Sequence, residues 1–115
     1  MVFARLRWFL GGLCIAVAPV VAATQDPAQV AFDAGVALTR EGRFEDALVH
    51  FEAAQTAGDD SPRLHFNIGV VNYRLKRFDA ARRAFARAAL DPETADLAIY
   101  NRGLVALADG EVEEA

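Results

Sequence analysis

Apolar and small residues recur at helical spacing along most of this chain. In one stretch Ile68, Gly69, Asn72 and Leu75 fall at helical steps, and the same spacing continues from Phe78. The pattern predicts helices near residues 27–41, 45–57, 62–75, 79–90 and 92–108, and a sixth that starts near Glu111. We therefore expect an all-α fold.

Short local signals mark where these helices begin and end. Asp26, Ser61 and Asp91 each precede a proline. Such a pair supplies a side-chain acceptor at the N-cap and a proline at the first helical position, where its missing N–H is no loss. The residues predicted to end helices in the left-handed conformation are Gly42, Lys76 and Gly110.

The chain repeats itself every 34 residues. Gly35, Gly69 and Gly103 are separated by this step, and so are Phe51 and Phe85. The step also links Ala47 with Ala81 and Ala115, Ala54 with Ala88, and Phe44 with Phe78. A repeat of this length indicates a stacked array of similar units. Glycine inside a helix costs about 1 kcal/mol relative to alanine, so the three glycines indicate that a neighbouring helix approaches too closely for a Cβ.

The register resembles that of the tetratricopeptide repeat family, whose units are 34-residue helix–turn–helix hairpins. The resemblance implies a repeat domain over 24–115, an α-solenoid of about two and a half units at 28–61, 62–95 and 96–115. Residues 1–23 are predicted separately, from their own sequence, to be a signal peptide. The resemblance also implies that one set of residues packs the two helices, A and B, of each unit together. These repeat-packing residues are Gly35, Ala47 and Phe51, then Gly69, Ala81 and Phe85, and then Gly103.

The resemblance further implies a concave groove, lined by the first helix of each unit, that binds a partner protein or peptide. Phe32, Phe66 and Tyr100 share one repeat position and are expected to line this groove, with Phe66 facing away from the core. The other groove residues are Val36, Arg40, Arg63, Val70, Tyr73, Arg74 and Leu104. Apolar anchors with a cationic edge suit an extended or helical peptide. The alternative is that this aromatic row packs against the chain's own repeats.

The N-terminus has the order of a secretory signal. Arg5 and Arg7 precede a charge-free run from Trp8 to Ala23, which ends in small residues. We expect cleavage after Ala23 and a location in the periplasm or cell envelope of a bacterium. The alternative is a retained membrane anchor, although the run of 16 residues is short of the roughly 20 that a spanning helix needs.

The charges of the chain limit the classes of partner that it is expected to bind. Residues 24–115 hold 10 basic and 16 acidic residues, which argues against binding to nucleic acid. Bases concentrate in the second unit, with seven against three acids, while the flanking units are acidic. This indicates attraction between adjacent units, and the alternative is a site for an acidic partner or an anionic polysaccharide.

The sequence does not predict a catalytic site or a metal-binding site. Ser61 is the one serine and is placed as an N-cap, while His50 and His65 lie on different helices, the first exposed and the second partly buried. We expect no cofactor and no enzyme activity from these residues.

The last segment, "DGEVEEA", provides one turn of a second helix and would leave Leu104, Val105 and Leu107 uncovered, so we expect a piece of a longer protein.

We therefore expect a non-catalytic interaction scaffold of the bacterial envelope. The alternatives are a polymer-binding or export module in polysaccharide secretion or outer-membrane assembly, and a regulatory repeat attached to an enzyme. Further repeats of the same chain are a possible partner of the groove.

Overall fold

A computed structural model describes residues 25–114 of the chain, and the predicted signal peptide and Ala115 lie outside this range. The described part is a row of α-helices in which each packs against its neighbour in sequence. The helices are α1 (Pro27–Arg40), α2 (Phe44–Thr56), α3 (Pro62–Arg74), α4 (Phe78–Ala88) and α5 (Pro92–Glu114). Within residues 25–114, no helix is both long enough and apolar enough to cross a membrane.

The predicted caps and turns account for the helix boundaries. The Asp26 side chain accepts a hydrogen bond from the Ala28 amide at 3.0 Å, and Ser61 Oγ accepts one from the Leu64 amide at 3.2 Å. Gly42 and Lys76 both have positive φ, 77° and 60°. At each of these turns the next amide donates back across the helix end, which satisfies carbonyls that the helix itself leaves without partners.

The helices form two hairpins whose cores repeat the same contacts. In the first hairpin Phe51 is fully buried and its ring centroid lies 5.7 Å from that of Phe32. In the second, Phe85 is fully buried and lies 5.5 Å from Phe66. Each ring pair joins the two helices of one hairpin, so the 34-residue repeat of the sequence becomes a repeat of the packing.

The end of the chain departs from the prediction. A turn at Gly110 and a sixth helix from Glu111 were expected, but α5 runs without a break from Pro92 to Glu114, and Gly110 is helical. A turn there would be favourable only if the following helix could bury an apolar face against α5. Gly110 permits a left-handed turn but does not require one, and a continuous helix keeps the backbone hydrogen bonds that a turn would interrupt.

The outer face of α5 also differs from expectation in one residue. Val105 was expected to be uncovered, yet it is fully buried and packs with Ala98, Ala81 and Phe85 against α4. Of the other two residues expected to be uncovered, Leu107 is 67% exposed and Leu104 is half-buried. One side of α5 is therefore core and another side is open.

Candidate interaction surface

The first of the three aromatic groove residues is not accessible. Phe32 is 5% exposed and belongs to the core of the first hairpin. On its outer side the Arg63 guanidinium lies 4.1 Å from the ring centroid, a cation–π contact supplied by the next unit. The expectation that Phe32 lines an open groove is corrected, because the following unit covers it.

Exposure of the aromatic row rises along the array. Phe66 is half-buried and packs edge-on against Phe85, so its expected orientation away from the core is also wrong. Tyr100 occupies the same repeat position on α5 and is 64% exposed. The same position is therefore core in the first unit and surface in the third.

The remaining groove residues divide into a half-buried apolar set and an exposed cationic set. Val36 packs on the first core, Val70 and Tyr73 pack on the second, and Leu104 is half-buried on α5. The three exposed arginines are Arg40, Arg63 and Arg74. Arg74 lies over the Phe44 ring, 5.7 Å from its centroid, so this side chain partly covers the first hairpin rather than extending freely.

Exposed apolar side chains concentrate on α5. Four of the seven large hydrophobic residues that are strongly exposed within residues 25–110 lie on this helix. They are Leu97, Ile99, Tyr100 and Leu107, each more than half exposed. Leu97, Tyr100, Leu104 and Leu107 follow one another at three- and four-residue steps and form a single stripe, which continues the half-buried face of Phe66, Val70 and Tyr73. We call this combined surface the helix-A surface.

The repeated glycines are close-packing positions in the first two units but not in the third. A Cβ built on Gly35 would lie 2.5 Å from the Phe51 ring, and one on Gly69 would lie 2.6 Å from the Phe85 ring. A Cβ on Gly103 would meet nothing within 4 Å. The predicted packing partners Ala47 and Ala81 are fully buried. Gly103 differs because no described helix covers its side of α5.

The bases of the second unit make ion pairs with both neighbouring units. Arg77 Nη2 lies 3.2 Å from Glu45 Oε1, and Arg82 Nη1 lies 2.8 Å from Asp109 Oδ2. Arg82 also pairs with Asp79 on its own helix. These two carboxylates hold the pKa of Arg82 above its ordinary value, mainly through their hydrogen bonds. The alternation of charge along the sequence thus matches attraction between adjacent units.

A third link was not predicted from the sequence. His65 is 4% exposed, and its Nε2 donates to Asp60 Oδ1 at 2.7 Å. Arg87 of α4 donates to the same carboxylate at 3.0 Å. The hydrogen bond from His65, followed by the charge of Arg87, lowers the pKa of Asp60. No repeated spacing marks this cluster, because Asp60 lies in the loop before α3, and loop residues carry no helical periodicity.

The serine and histidine side chains considered for chemistry occupy ordinary structural positions. Ser61 Oγ is used as a helix cap, and His50 is exposed on α2. Within residues 25–114, no three histidine, cysteine, aspartate or glutamate side chains come together as a metal site would require. What the described residues present is an apolar stripe with arginines at its edge.

Comparison with known proteins supports the repeat assignment. The tetratricopeptide repeat family model matches residues 16–62 and 32–98. The protein O-mannosyl-transferase Tmtc3 of Drosophila melanogaster is 40% identical over 60 residues, which are 51% of this chain and 6% of the fly protein. The chain thus spans a small fraction of the length of this curated relative. No solved structure matches the chain.

Repeats of this family generally mediate protein–protein interactions and are typically non-catalytic. The 34-residue register, the paired hairpins and the glycine–phenylalanine contacts agree with the family match, which covers well over half of the sequence. The chain is a member of the tetratricopeptide repeat family.

Proposed function

We propose that this chain is a non-catalytic scaffold that binds an apolar peptide segment of a partner protein along the helix-A surface. The observation that carries the proposal is the exposure of Tyr100 and Leu107, 64% and 67%, in one stripe with Leu97 and Leu104. Contiguous exposed apolar side chains mark interaction sites more often than isolated ones do. Phe66, Val70 and Tyr73 extend the surface onto α3, where they offer half-exposed edges.

Charge at the edge of this surface favours a partner segment that is not basic. Arg63 and Arg74 are exposed beside the apolar stripe, and Arg40 precedes them on α1. A peptide with apolar anchors and an acidic residue would gain both contacts. Phe32 is left out of the proposed contact set because Arg63 and Phe51 cover its ring.

Site-specific photo-crosslinking tests the surface. A photoreactive phenylalanine analogue at position 100 is expected to capture a discrete partner, and the same analogue at position 49 serves as the matched control. Val49 is 62% exposed on α2, outside the helix-A surface. Leu107→Ala should reduce capture from position 100. Equal capture from both positions, or no effect of Leu107→Ala, would contradict the proposal.

We further propose that the scaffold works in the bacterial cell envelope after cleavage behind Ala23. The support is the sequence order of Arg5 and Arg7, a charge-free run and small residues at its end. N-terminal sequencing of the protein from its own cells should read Thr24 as the first residue. An intact N-terminus in the membrane fraction would favour the anchor instead.

A second candidate function is binding of an anionic polymer. It is favoured by a cavity of about 580 Å³ lined by Lys76, Arg77, Arg82 and Arg83, together with Asp79 and Asp109. Ion pairs from Arg77 and Arg82 to acids of the chain reduce the charge available there. Retention on an acidic polysaccharide column that is lost in Arg83→Glu, while Tyr100 crosslinking yields nothing, would favour this function over the first.

A repeat segment attached to an enzyme is the third candidate, and the relationship to an O-mannosyl-transferase is its support. Because only 6% of that protein is matched, the resemblance concerns repeat units and carries no catalytic residue. Immunoblotting of the polypeptide in its own cells would size it, and a band far larger than 12.4 kDa would favour this candidate.

A further inference from the structure

The Arg63 guanidinium is held in one place by contacts with the preceding unit. Its central carbon lies 4.1 Å from the centroid of the Phe32 ring. Its Nη2 donates a hydrogen bond to Gln29 Oε1 at 3.2 Å, and Gln29 Nε2 in turn donates to Asp33 Oδ1 at 2.8 Å. An exposed arginine of α3 is thus fixed by two side chains of α1, so less conformational entropy remains to be lost when it binds an anion.

Arg63 has no acidic partner in the part of the chain that the structure describes. It forms no ion pair with any carboxylate of residues 25–114, whereas Arg43, Arg77, Arg82 and Arg87 each form at least one. Apart from the bond to Gln29, its N–H groups have no hydrogen-bond partner among these residues. A guanidinium that is fixed in position and has unpaired N–H groups is suited to a bidentate pair with a carboxylate.

The two other arginines beside the helix-A surface are held less firmly. The Arg74 guanidinium lies 5.7 Å from the centroid of the Phe44 ring and makes no hydrogen bond to a described side chain. Arg40 is exposed, and its side chain has neither a hydrogen bond nor an ion pair within residues 25–114. Arg63 is therefore the best ordered of the three for binding an anion.

Arg63 lies on the same side of α3 as the apolar part of the helix-A surface. At about 100° per residue, Val70 is about 20° from Arg63 around the helix, and Phe66 is about 60° from it. Val70 lies about 10 Å farther along the axis, at about 1.5 Å per residue. A segment whose apolar side chains contact Phe66 and Val70 therefore brings a neighbouring side chain within reach of Arg63.

Two acids limit the direction from which a carboxylate reaches Arg63. Arg63 borders a cavity of about 270 Å³ that is also lined by Asp26 and Asp59. Asp26 Oδ1 accepts a hydrogen bond from the Ala28 amide at 3.0 Å, and Asp59 Oδ1 accepts one from the Ser61 amide at 2.9 Å. The charge of these two carboxylates repels an anion from the cavity, so an acidic side chain reaches Arg63 from the helix-A surface.

From these contacts we propose that Arg63 selects the partner of the helix-A surface by binding the side-chain carboxylate of an aspartate or glutamate. This role of Arg63 rests on the proposed function and deepens it, because it names the residue that binds the acid and the group that is bound. The carboxylate accepts two hydrogen bonds from the guanidinium, while apolar side chains of the same segment contact Phe66 and Val70. Arg63 is thus a specificity-determining residue whose position depends on Phe32 and Gln29.

Selection from a library of short random peptides displayed on phage supplies the probe. The peptides are joined to the coat protein through their C-termini, so their only carboxylates are those of aspartate and glutamate. Peptides selected on the immobilised whole chain should contain apolar residues together with at least one acid. Selection on Arg63→Gln should still enrich apolar residues but should no longer enrich acids.

A matched pair of synthetic peptides separates recognition of the acid from a structural role of Arg63. One is the most enriched peptide with an amidated C-terminus, and the other has the amide in place of each acid. Fluorescence anisotropy should show that the original chain binds the acidic peptide about tenfold more tightly. Arg63→Gln should reduce this ratio to about twofold or less, and Arg63→Lys should leave an intermediate ratio, because lysine keeps the charge but not the planar fork. Loss of packing on Phe32 alone would weaken both peptides equally and leave the ratio unchanged.

Arg102→Gln is the matched control. Arg102 is also exposed, but it lies on α5 about 160° around the helix from Tyr100, so the ratio should stay at about tenfold. An equal fall of the ratio in Arg102→Gln would assign the preference to net charge and overturn the role of Arg63.

Two further results distinguish this role from the proposed function itself. Selected peptides that are apolar without acids, or an acid-to-amide ratio that survives Arg63→Gln, would overturn the role of Arg63 and leave the proposed function standing. If no peptide is selected and no partner is captured from position 100, both are wrong.

Discussion

Helices α3 and α5 present the same repeat positions to opposite environments. Gly69 of α3 is buried under the Phe85 ring, while Gly103 of α5, 34 residues later, is exposed. His65 is 4% exposed, and its equivalent Ile99 is 57% exposed even though it is the more apolar side chain. The repeat register predicts which side of a helix packs against another helix. Whether that side is buried depends on a partner helix.

The comparison also explains why apolar character alone is a poor guide to the core in this chain. The buried residues of α3 include His65 and Asn72, whose polar atoms are satisfied by Asp60 and by the Ile68 carbonyl. The exposed residues of α5 include Leu97, Tyr100 and Leu107. Position in the array outweighs side-chain type, because only a neighbouring unit can remove a helix face from water.

The largest expected effect is at the ring that covers Gly69. Phe85→Ala should lower the free energy of unfolding by about 3–5 kcal/mol, since a fully buried aromatic side chain is removed from a close-packed site. Tyr100→Ala, on the exposed stripe of α5, should change it by no more than about 0.5 kcal/mol. Urea denaturation followed by circular dichroism measures both. Comparable losses in the free energy of unfolding of the two variants would show that the exposed stripe of α5 is covered in solution.

Alanine at the two glycines should have effects of opposite sign. Gly69→Ala should destabilise by about 1–3 kcal/mol, because the new Cβ would lie 2.6–2.8 Å from three atoms of a buried ring. Gly103→Ala should stabilise by up to about 1 kcal/mol, because alanine is the better helix former and meets nothing there. Thermal melts of the pair provide a direct comparison. If Gly103→Ala lowered the melting temperature, this would contradict the finding that Gly103 lies on an uncovered side of α5.

A smaller effect should appear on acidification of the α3–α4 hairpin. The pKa of Asp60 is lowered below its ordinary 3.8, so its contribution to stability is present above that value and is lost as the pH falls through the lowered pKa. Asp60→Asn should be less stable than the original chain near neutral pH, and the two should converge as the pH falls below 3.8 and through the lowered pKa of Asp60. Urea midpoints across pH 2–7 test this. Parallel curves for the two proteins would show that Asp60 gains nothing from His65 and Arg87.

The smallest effects are expected at the ion pairs between units. Arg77→Gln should change the free energy of unfolding by less than about 0.5 kcal/mol, since both partners are largely exposed. Arg82→Gln should have the larger effect of the two, because Asp79 and Asp109 both pair with it and because the Asp109 side chain is 28% exposed. Urea titrations at low and high salt should show both effects shrinking as salt rises. An Arg77 effect larger than the Arg82 effect would reverse the comparison.

Most of the fold could be predicted from local signals. Proline after Asp26 and Ser61 predicted two helix starts, and the turns at Gly42 and Lys76 were placed at the residues that take positive φ. The first four helices were predicted to within two residues at each end. The same type of signal gave a wrong prediction at Gly110, because a glycine permits a left-handed turn but does not require one.

The candidate site was less predictable. Sharing one repeat position led to the expectation that Phe32, Phe66 and Tyr100 form an exposed row, and the structure buries the first and half-buries the second. Exposure depends on the side chains of the following unit, such as Arg63 over Phe32. The Asp60–His65–Arg87 cluster was missed because its members come from a loop and two different helices.

The sequence by itself determined the repeat, the first four helix-forming segments with their turns, and two positions, Gly35 and Gly69, where two helices approach too closely for a side chain. These properties are local or periodic, so the residues of a single 34-residue unit are enough to predict each of them. The tertiary structure decided which equivalent positions are core, which are surface, and whether α5 ends or continues at Gly110. Those outcomes depend on burial, and burial at any position of a stacked array is supplied by the neighbouring helix rather than by the residue itself.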